Sequence, residues 1–587
     1  MNSFKYIMLC VVSFIFYPIF GQKVSENIRL NQIGFYPNAP KIAVVVNAKA
    51  TTFLVKTSDL SKTVLVGTLS TSRKSEFSGK TTQIADFSSL QSVGKYVIEV
   101  PSLGVSYPFE VRANIHQNLA KASLKAFYYQ RASIELPSKY AGKWARPFAH
   151  PDTKILIHAS AVSPERPEGT VISSPKGWYD AGDYNKYIVN SGITMGTLFS
   201  LYEDFPAYFQ QQNLNIPESN NTIPDILDEA LWNLRWMLTM QDTDGGVYHK
   251  LTNAVFDPII MPKEATKTRY AVQKSTTATL DFAAVMAQAA RVFKQFPKEF
   301  PALADSCLLA STRAWNWAIK NPNVKYDQNK LNEQFLPKII TGAYGDNDSS
   351  DEFFWAATEL YITTKDDSYY NTIGNQLNTK MNIPSWNQVR LLGYYTFARF
   401  QHQLTGKAKD DFPILKNRLL TFIDTLANGV EKRSFQTVMG RTARDFMWGS
   451  SGGAANQGIA MIQAFKLTKN KKYLDLALSN LDYLLGRNGT GYSFMTAFGS
   501  KTPMHPHHRL AMADGIVEPL PGFLSGGANP GQQDKCVGYT TKVADESYLD
   551  ADCSYSTNEI AINWNAPMAY LSAAIEALQS KMSRSIK

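Results

Sequence analysis

The sequence predicts two parts, a small all-β sandwich at the N-terminus and a much larger all-α domain that closes into a ring. Three observations predict this. Short apolar clusters separated by Ser, Lys, Gly and Asn recur between Ile28 and Val111, the pattern of short antiparallel strands joined by turns. The period changes at His116, after which Leu119, Ala120, Ser123, Leu124 and Phe127 follow helical spacing. From there, about a dozen apolar helical stretches succeed one another with no strand run between them. A chain of 587 residues is too long for one small core, so two or more domains are expected.

Taken in order, residues 1–21 read as a signal peptide. Lys5 supplies a positive start, Ile7 to Phe20 an apolar run too short for a membrane span, and Gly21 a small residue before cleavage. Cys10 follows a large residue early in that run, a poor setting for a lipid anchor. No later segment is apolar enough to span a membrane, so an exported protein, periplasmic or secreted, is expected. Residues 24–112 form the sandwich, with strands at Ile42–Val46, Phe53–Val55 and Tyr96–Val100. Its most distinctive run, Asn31-Gln32-Ile33-Gly34-Phe35, suggests no chemistry.

Residues 113–580 form the helical domain. Ile226, Leu227, Ala230, Leu231, Leu234, Met237 and Leu238 share their offsets with Tyr473, Leu474, Ala477, Leu478, Leu481, Leu484 and Leu485. Both sets are helices with one buried face. A closed ring packs its last helix beside its first, so the segment around residue 180 meets the loops near residues 500 and 555. The formal charge of +10 comes from scattered Lys and Arg, which argues for solubility and against a nucleic-acid site. Beyond the signal, Cys307 reads as a buried free thiol. Cys536 and Cys553 flank a loop-rich segment and are candidates for a disulfide, or for metal binding, although no spacing supports zinc.

Chemistry concentrates in three stretches. In Gly177-Trp178-Tyr179-Asp180-Ala181-Gly182-Asp183 two carboxylates stand three residues apart, on one side of a helical turn. Like charges held close push their pKa values apart, which suits one of them for proton transfer. Met504-His505-Pro506-His507-His508-Arg509 reads as a polar wall that donates hydrogen bonds to hydroxyl groups. Tyr548 to Glu559 carries Asp550, Tyr555 and Glu559 just ahead of the last apolar helix.

These stretches resemble the signatures of glycoside hydrolase family 9. One is Ser493-Phe494-Met495-Thr496 with Gly499, Lys501 and Pro506-His507-His508-Arg509; the other runs from Tyr548 through Asp550, Tyr555 and Glu559 to Asn565-Ala566. Asp180 to Asp183, Asp242 to Lys250, and Trp448-Gly449-Ser450 to Gly458 look like the same family, and the sandwich resembles its immunoglobulin-like module. The resemblance implies an (α/α)6 barrel that cleaves β-1,4-glucosidic bonds with inversion in cellulose-like or mixed-linkage β-glucans, as an endoglucanase (cellulase) acting as a monomer. It implies Asp183 as general base, Asp180 as a holder of the water, Glu559 as general acid, and His507 and Asp550 as further functional groups. Arg509, His508, Tyr555, Trp564 and Trp178 are the expected substrate contacts, with Tyr555 and Trp564 forming an apolar wall by Glu559. No cofactor is required for the chemistry. Asp351 and Glu352 resemble acids that bind a structural calcium, although Asn387 stands where a further acid is expected.

Tyr184, where the family often has His, and Trp564, where Tyr is expected, alter the subsites. An exo-acting enzyme is the nearest alternative, with Ala254–Arg269 or Pro519–Lys535 as loops able to block the cleft. An inactive glycan-binding protein would have lost an acid, and a polysaccharide lyase would leave the paired Asp without a role.

Overall fold

The computed structural model describes residues 23–585; the expected signal peptide lies outside them. Between Ile28 and Val111 the short apolar strands pack as two sheets, one of four strands and one of six. Its ladders are antiparallel apart from Gly34–Phe35, which runs parallel to Phe109–Val111. Alternation sends Phe53, Ile98 and Val100 inward. Phe35 meets Phe87 and Phe109 edge-on, with ring centroids 5.2 and 5.4 Å apart.

The run Asn31-Gln32 now has a role, because it clamps the sandwich to the helical domain. The Asn31 amide donates to Asp482 at 2.9 Å. Gln32 Oε1 accepts from the Ser500 and Lys501 amides, both at 2.8 Å, while its Nε2 donates to the Gly491 carbonyl at 2.9 Å. The sandwich thereby holds the loop that leads into His505–Arg509.

Twelve helices build the ring: α1 Gln117–Tyr129, α2 Ile188–Asp204, α3 Asp225–Thr239, α4 Thr276–Phe293, α5 Leu303–Lys320 and α6 Ser350–Thr364. There follow α7 Asp367–Ile373, α8 Arg390–Arg399, α9 Gly406–Ala427, α10 Ser450–Thr468, α11 Lys471–Leu484 and α12 Ile562–Ser585. The even-numbered helices contact one another in sequence, and α12 returns to α2. The odd-numbered helices pack outside them, which makes the domain an (α/α)6 barrel. The two stripes legible in sequence belong to outer helices, α3 and α11. Inner helices such as α2 and α4 are buried on nearly every side, so their apolar residues have no stripe to show.

The expectation of a strand-free domain is corrected. Five strands, Ile155–Ile157, Val171–Ile172, Lys186–Tyr187, Lys250–Asn253 and Arg269–Ala271, form one small sheet. Each is too short for a periodic pattern to register. Cys536 and Cys553 are joined as a disulfide, their Cα atoms 5.5 Å apart, and Cys307 on α5 is buried and free. No helix among the described residues is long and apolar enough to cross a membrane.

Parallel inner helices put all their C-termini at one end of the barrel. There an ion network ties them together. Arg291 of α4 pairs with Glu203 of α2 at 2.7 Å and with Glu359 of α6 at 2.8 Å. Arg399 of α8 pairs with Asp204 of α2 at 2.7 Å. Lys466 of α10 and Tyr570 of α12 also bond Asp204. One network therefore touches all six inner helices and leaves the opposite, N-terminal end free to open.

Candidate active site

At that open end, loops entering the inner helices bring the expected acids together. Asp180 to Asp183 precede α2, Tyr344 precedes α6, Trp386 precedes α8, Trp448 precedes α10 and Glu559 precedes α12. The two chain segments are sewn by backbone bonds. Ile562 N donates to the Asp180 carbonyl at 2.8 Å, Arg509 N to the Gly182 carbonyl at 3.0 Å, and His507 N to the Asn558 carbonyl at 3.0 Å. Gly182 also donates its own amide to Glu559 Oε1 at 3.3 Å. A Cβ at Gly182 would stand 2.3 Å from the His507 carbonyl oxygen, so only glycine allows this approach.

The three acids have different environments. Asp180 is fully buried and accepts from Asn190 Nδ2 at 2.9 Å and from the Tyr344 hydroxyl at 3.2 Å. Burial, and then the neighbouring Asp183 charge, push its pKa well above the usual carboxylate range. Asp183 takes both its bonds on one oxygen, Oδ2, from Asn185 Nδ2 at 2.5 Å and the Tyr187 hydroxyl at 3.0 Å. Its Oδ1 makes no hydrogen bond within the described residues. Partly exposed Glu559 is also pushed well above its usual range, first by desolvation and then by Asp183 and Asp180. The site thus sets one carboxyl group that holds its proton more tightly than usual near another with an oxygen that makes no hydrogen bond.

His507 bonds the Asp552 carbonyl through Nδ1 at 2.6 Å. A carbonyl only accepts, so Nδ1 carries the proton. Burial lowers the ring's pKa, so Nε2 presents a lone pair. His507 thus has an acceptor at Nε2, where the sequence suggested a donor. Arg509 donates Nε to the Asp257 carbonyl and Nη1 to the Gly182 carbonyl, each at 2.9 Å. Its guanidinium lies 5.3 Å from the ring centre of exposed Phe256. Tyr555, partly exposed, packs against Trp448 at 5.4 Å and His507 at 5.8 Å. Trp564 is partly exposed in the first turn of α12, with its indole over Gly449 and Gly452.

Three expectations, on Trp178, His508 and Tyr184, are corrected, and Asp550 is given its partners. Trp178 is fully buried and donates to Glu229 at 2.8 Å, so it is core and cannot meet a substrate. His508 is 2% exposed, and its Nε2 lies 3.1 Å from Gln130 Oε1; burial drops its pKa to about 3. Gln130 in turn donates to the Ala181 carbonyl at 3.1 Å, so His508 supports the acid segment from behind. Asp550 accepts the Met504 and His505 amides, both at 2.8 Å, and Asn558 Nδ2 at 2.9 Å, which makes it a brace under the His507 loop and Glu559. Tyr184 is buried and donates to the Ile260 carbonyl at 2.7 Å, so it anchors the 254–269 loop and lines no subsite.

Sequence reasoning missed Asn185, Tyr187, Asn190 and Tyr344. The first two stand two and four residues beyond Asp183 and were open to local inspection. Tyr344 reaches Asp180 across 164 positions and needs the fold. A second acidic cluster was half seen. Glu352 and Asp281 are fully buried, and neither has a partner for either carboxyl oxygen. Asp351 Oδ1 and Asp346 Oδ2 are likewise buried and unpartnered. Burial raises all four pKa values, with repulsion from neighbouring acids adding to it; for Asp346 that neighbour is Asp348. Oxygen-only donors without partners suit a hard cation. Still, no three such side chains among the described residues form a ready-made metal centre, so a cation here would also draw on carbonyls and water. Asn387, by contrast, is engaged with Ser385 at 2.8 Å.

The comparisons agree with this geometry. Residues 116–572 match the model of glycosyl hydrolase family 9, and residues 23–105 that of the cellulase N-terminal Ig-like domain. The chain is 46% identical to a xyloglucan-specific endo-beta-1,4-glucanase, BoGH9A of Bacteroides ovatus, over 94% of each chain. It is 34% identical to endoglucanase D of Acetivibrio thermocellus, over 93% of this chain and 84% of the relative. A solved Bacteroides ovatus GH9 structure superposes with a TM-score of 0.90 at 44% identity, covering 94% of this chain and 99% of that one. A barrel of six helical hairpins, an Ig-like module ahead of it and facing acids at its open end make this chain a glycoside hydrolase belonging to glycosyl hydrolase family 9.

Proposed function

We propose that the enzyme is an endo-β-1,4-glucanase that works by single displacement. The observation that carries this is the closeness of Glu559, whose pKa is raised by burial and by Asp183, to Asp183, whose Oδ1 makes no hydrogen bond. Asp183 takes a proton from water as that water attacks the anomeric carbon. The bond to the leaving oxygen breaks, and that oxygen receives the Glu559 proton. Asp180, its pKa raised by burial and held by Asn190 and Tyr344, steadies the water beside it. His507 accepts a sugar hydroxyl, Arg509 has Nη2 left for another, and Tyr555 with Trp448 forms a platform for sugar rings. The likeness to a xyloglucan-specific relative favours a branched β-1,4-glucan as substrate. The Cys536–Cys553 disulfide fits export to an oxidising compartment.

The raised pKa of Glu559 sets a sign. The acid works while protonated, so turnover falls as pH rises through its folded-state pKa. Glu559→Gln is expected to lose about 10²-fold or more on cellohexaose but to retain most activity on an aryl cellobioside with a strongly acidic phenol. On that substrate the alkaline limb of the parent's pH profile should be gone. Near-parental turnover of cellohexaose would remove Glu559 from the acid role. Endo action is read from a time course of products on xyloglucan. Intermediate lengths should appear first, whereas a single short product from the outset would indicate an exo enzyme.

The second cluster is proposed to hold a structural calcium through Asp351 and Glu352, with Asp281 and Asp346 nearby. Chelation is then expected to lower the melting temperature, with calcium restoring it. Glu352→Gln should be insensitive to chelator. A parent whose melting is unmoved by chelator contradicts this site.

A further inference from the structure

On the flank of the barrel, away from the acids, a cavity of about 620 Å³ lies between α9, the 380–383 loop and the 441–445 turn. A second, of about 230 Å³, reaches the Ig-like module, and both are lined by Arg441. Together they make a groove with Lys74, Lys380, Arg418, Lys432, Arg441 and Arg444 along it. None of these six has an ion-pair partner among the described residues.

The acids in the groove, fewer than the cations, make no ion pair with these six. Asp445 takes the Arg441 and Thr442 amides at 2.7 and 3.2 Å on one oxygen and Gln457 at 3.3 Å on the other. Asp545 accepts from the Tyr483 hydroxyl at 2.9 Å and the Gly489 amide at 3.0 Å. Only exposed Glu76 is left. The Asp445 bonds belong to a capping box with Thr442, so the turn presenting Arg441 and Arg444 is fixed in place. Arg418 is pinned by the Thr379 carbonyl at 2.8 Å, and its Nε is buried without a partner. The floor between the cations is aliphatic and aromatic: Met381, Ile383, Phe422 and Leu426.

Guanidiniums spaced along an open groove, one pinned and two carried on a capped turn, match planar carboxylates repeated along a chain. An apolar floor with one aromatic ring suits the C–H faces of sugars better than a stack of bases. We propose that this groove is a binding site for a carboxylate-bearing polysaccharide, a polyuronate, separate from the catalytic cleft. The 380–383 loop runs on to Trp386, and Arg444 lies four residues before Trp448. A bound acidic chain would therefore lie alongside the aromatic end of the cleft and keep the enzyme on a mixed acidic and neutral matrix.

The test is calorimetric titration of the full chain with hexagalacturonate at low and at high salt. Binding is expected at low salt and should weaken as salt screens it. The double substitution Arg441→Ala/Arg444→Ala should reduce affinity by about tenfold or more, and Lys380→Glu should reduce it independently. Both variants should hydrolyse a neutral β-glucan at the parental rate, which also reports that they are folded. Absence of binding at low salt, or undiminished binding by the variants, would overturn the proposal. So would equal binding of a single-stranded oligonucleotide of the same charge, since that would mark a surface for polyanions in general.

Discussion

The structure turns on the seam at Gly182. Its amide reaches Glu559, its carbonyl takes the Arg509 amide and guanidinium, and its missing side chain lets the His507 backbone close in. The segment before the second helix is thereby fastened to the segments before the last. This contact helps set the distance between the proposed base and acid. An inverting reaction needs room for a water between carboxyl groups, about 6.5–9.5 Å. Backbone hydrogen bonds hold such a gap more firmly than flexible side chains do. Asp180 and Asp183, three residues apart on one wall, cannot flank a sugar by themselves.

The two ends of the barrel handle charge in opposite ways. At the closed end Glu203, Asp204 and Glu359 are matched by Arg291, Arg399 and Lys466, and the neighbouring cations hold Asp204 well below the usual carboxylate range. Removing one member of such a buried group typically costs about 3–5 kcal/mol, because its partner is left charged and dry. At the open end no ion pair offsets the desolvation of Asp180 and Glu559, and the Arg509 charge only partly counters it for Glu559, so both acids hold their protons more tightly than usual. The same low-dielectric interior thus gives a permanently ionised clamp at one end and proton-carrying acids at the other.

Much of this was legible in the sequence. The change of period at His116 separated the domains, and the motifs around Asp180, His507 and Glu559 marked the site. What was illegible had physical causes. Trp178, His508 and Asp550 lie inside those motifs, but a motif does not say which members face the cleft and which hold it up. Asn31 and Gln32 looked inert because their partners are more than 450 positions away. The short sheet carrying Lys186–Tyr187 is built from strands too brief for a periodic signal, yet it places Tyr187 against Asp183. Asp281 escaped notice because a single acid in an apolar helix becomes informative only when Glu352 is seen with it.

The proposed reaction rests on attack by water from the Asp183 side while Glu559 protonates the leaving oxygen. Proton NMR of the first products released from a β-1,4-glucan tests this directly, before the reducing ends equilibrate. The α-anomer should appear first. Initial release of the β-anomer would mean retention, and would contradict the roles assigned to both acids.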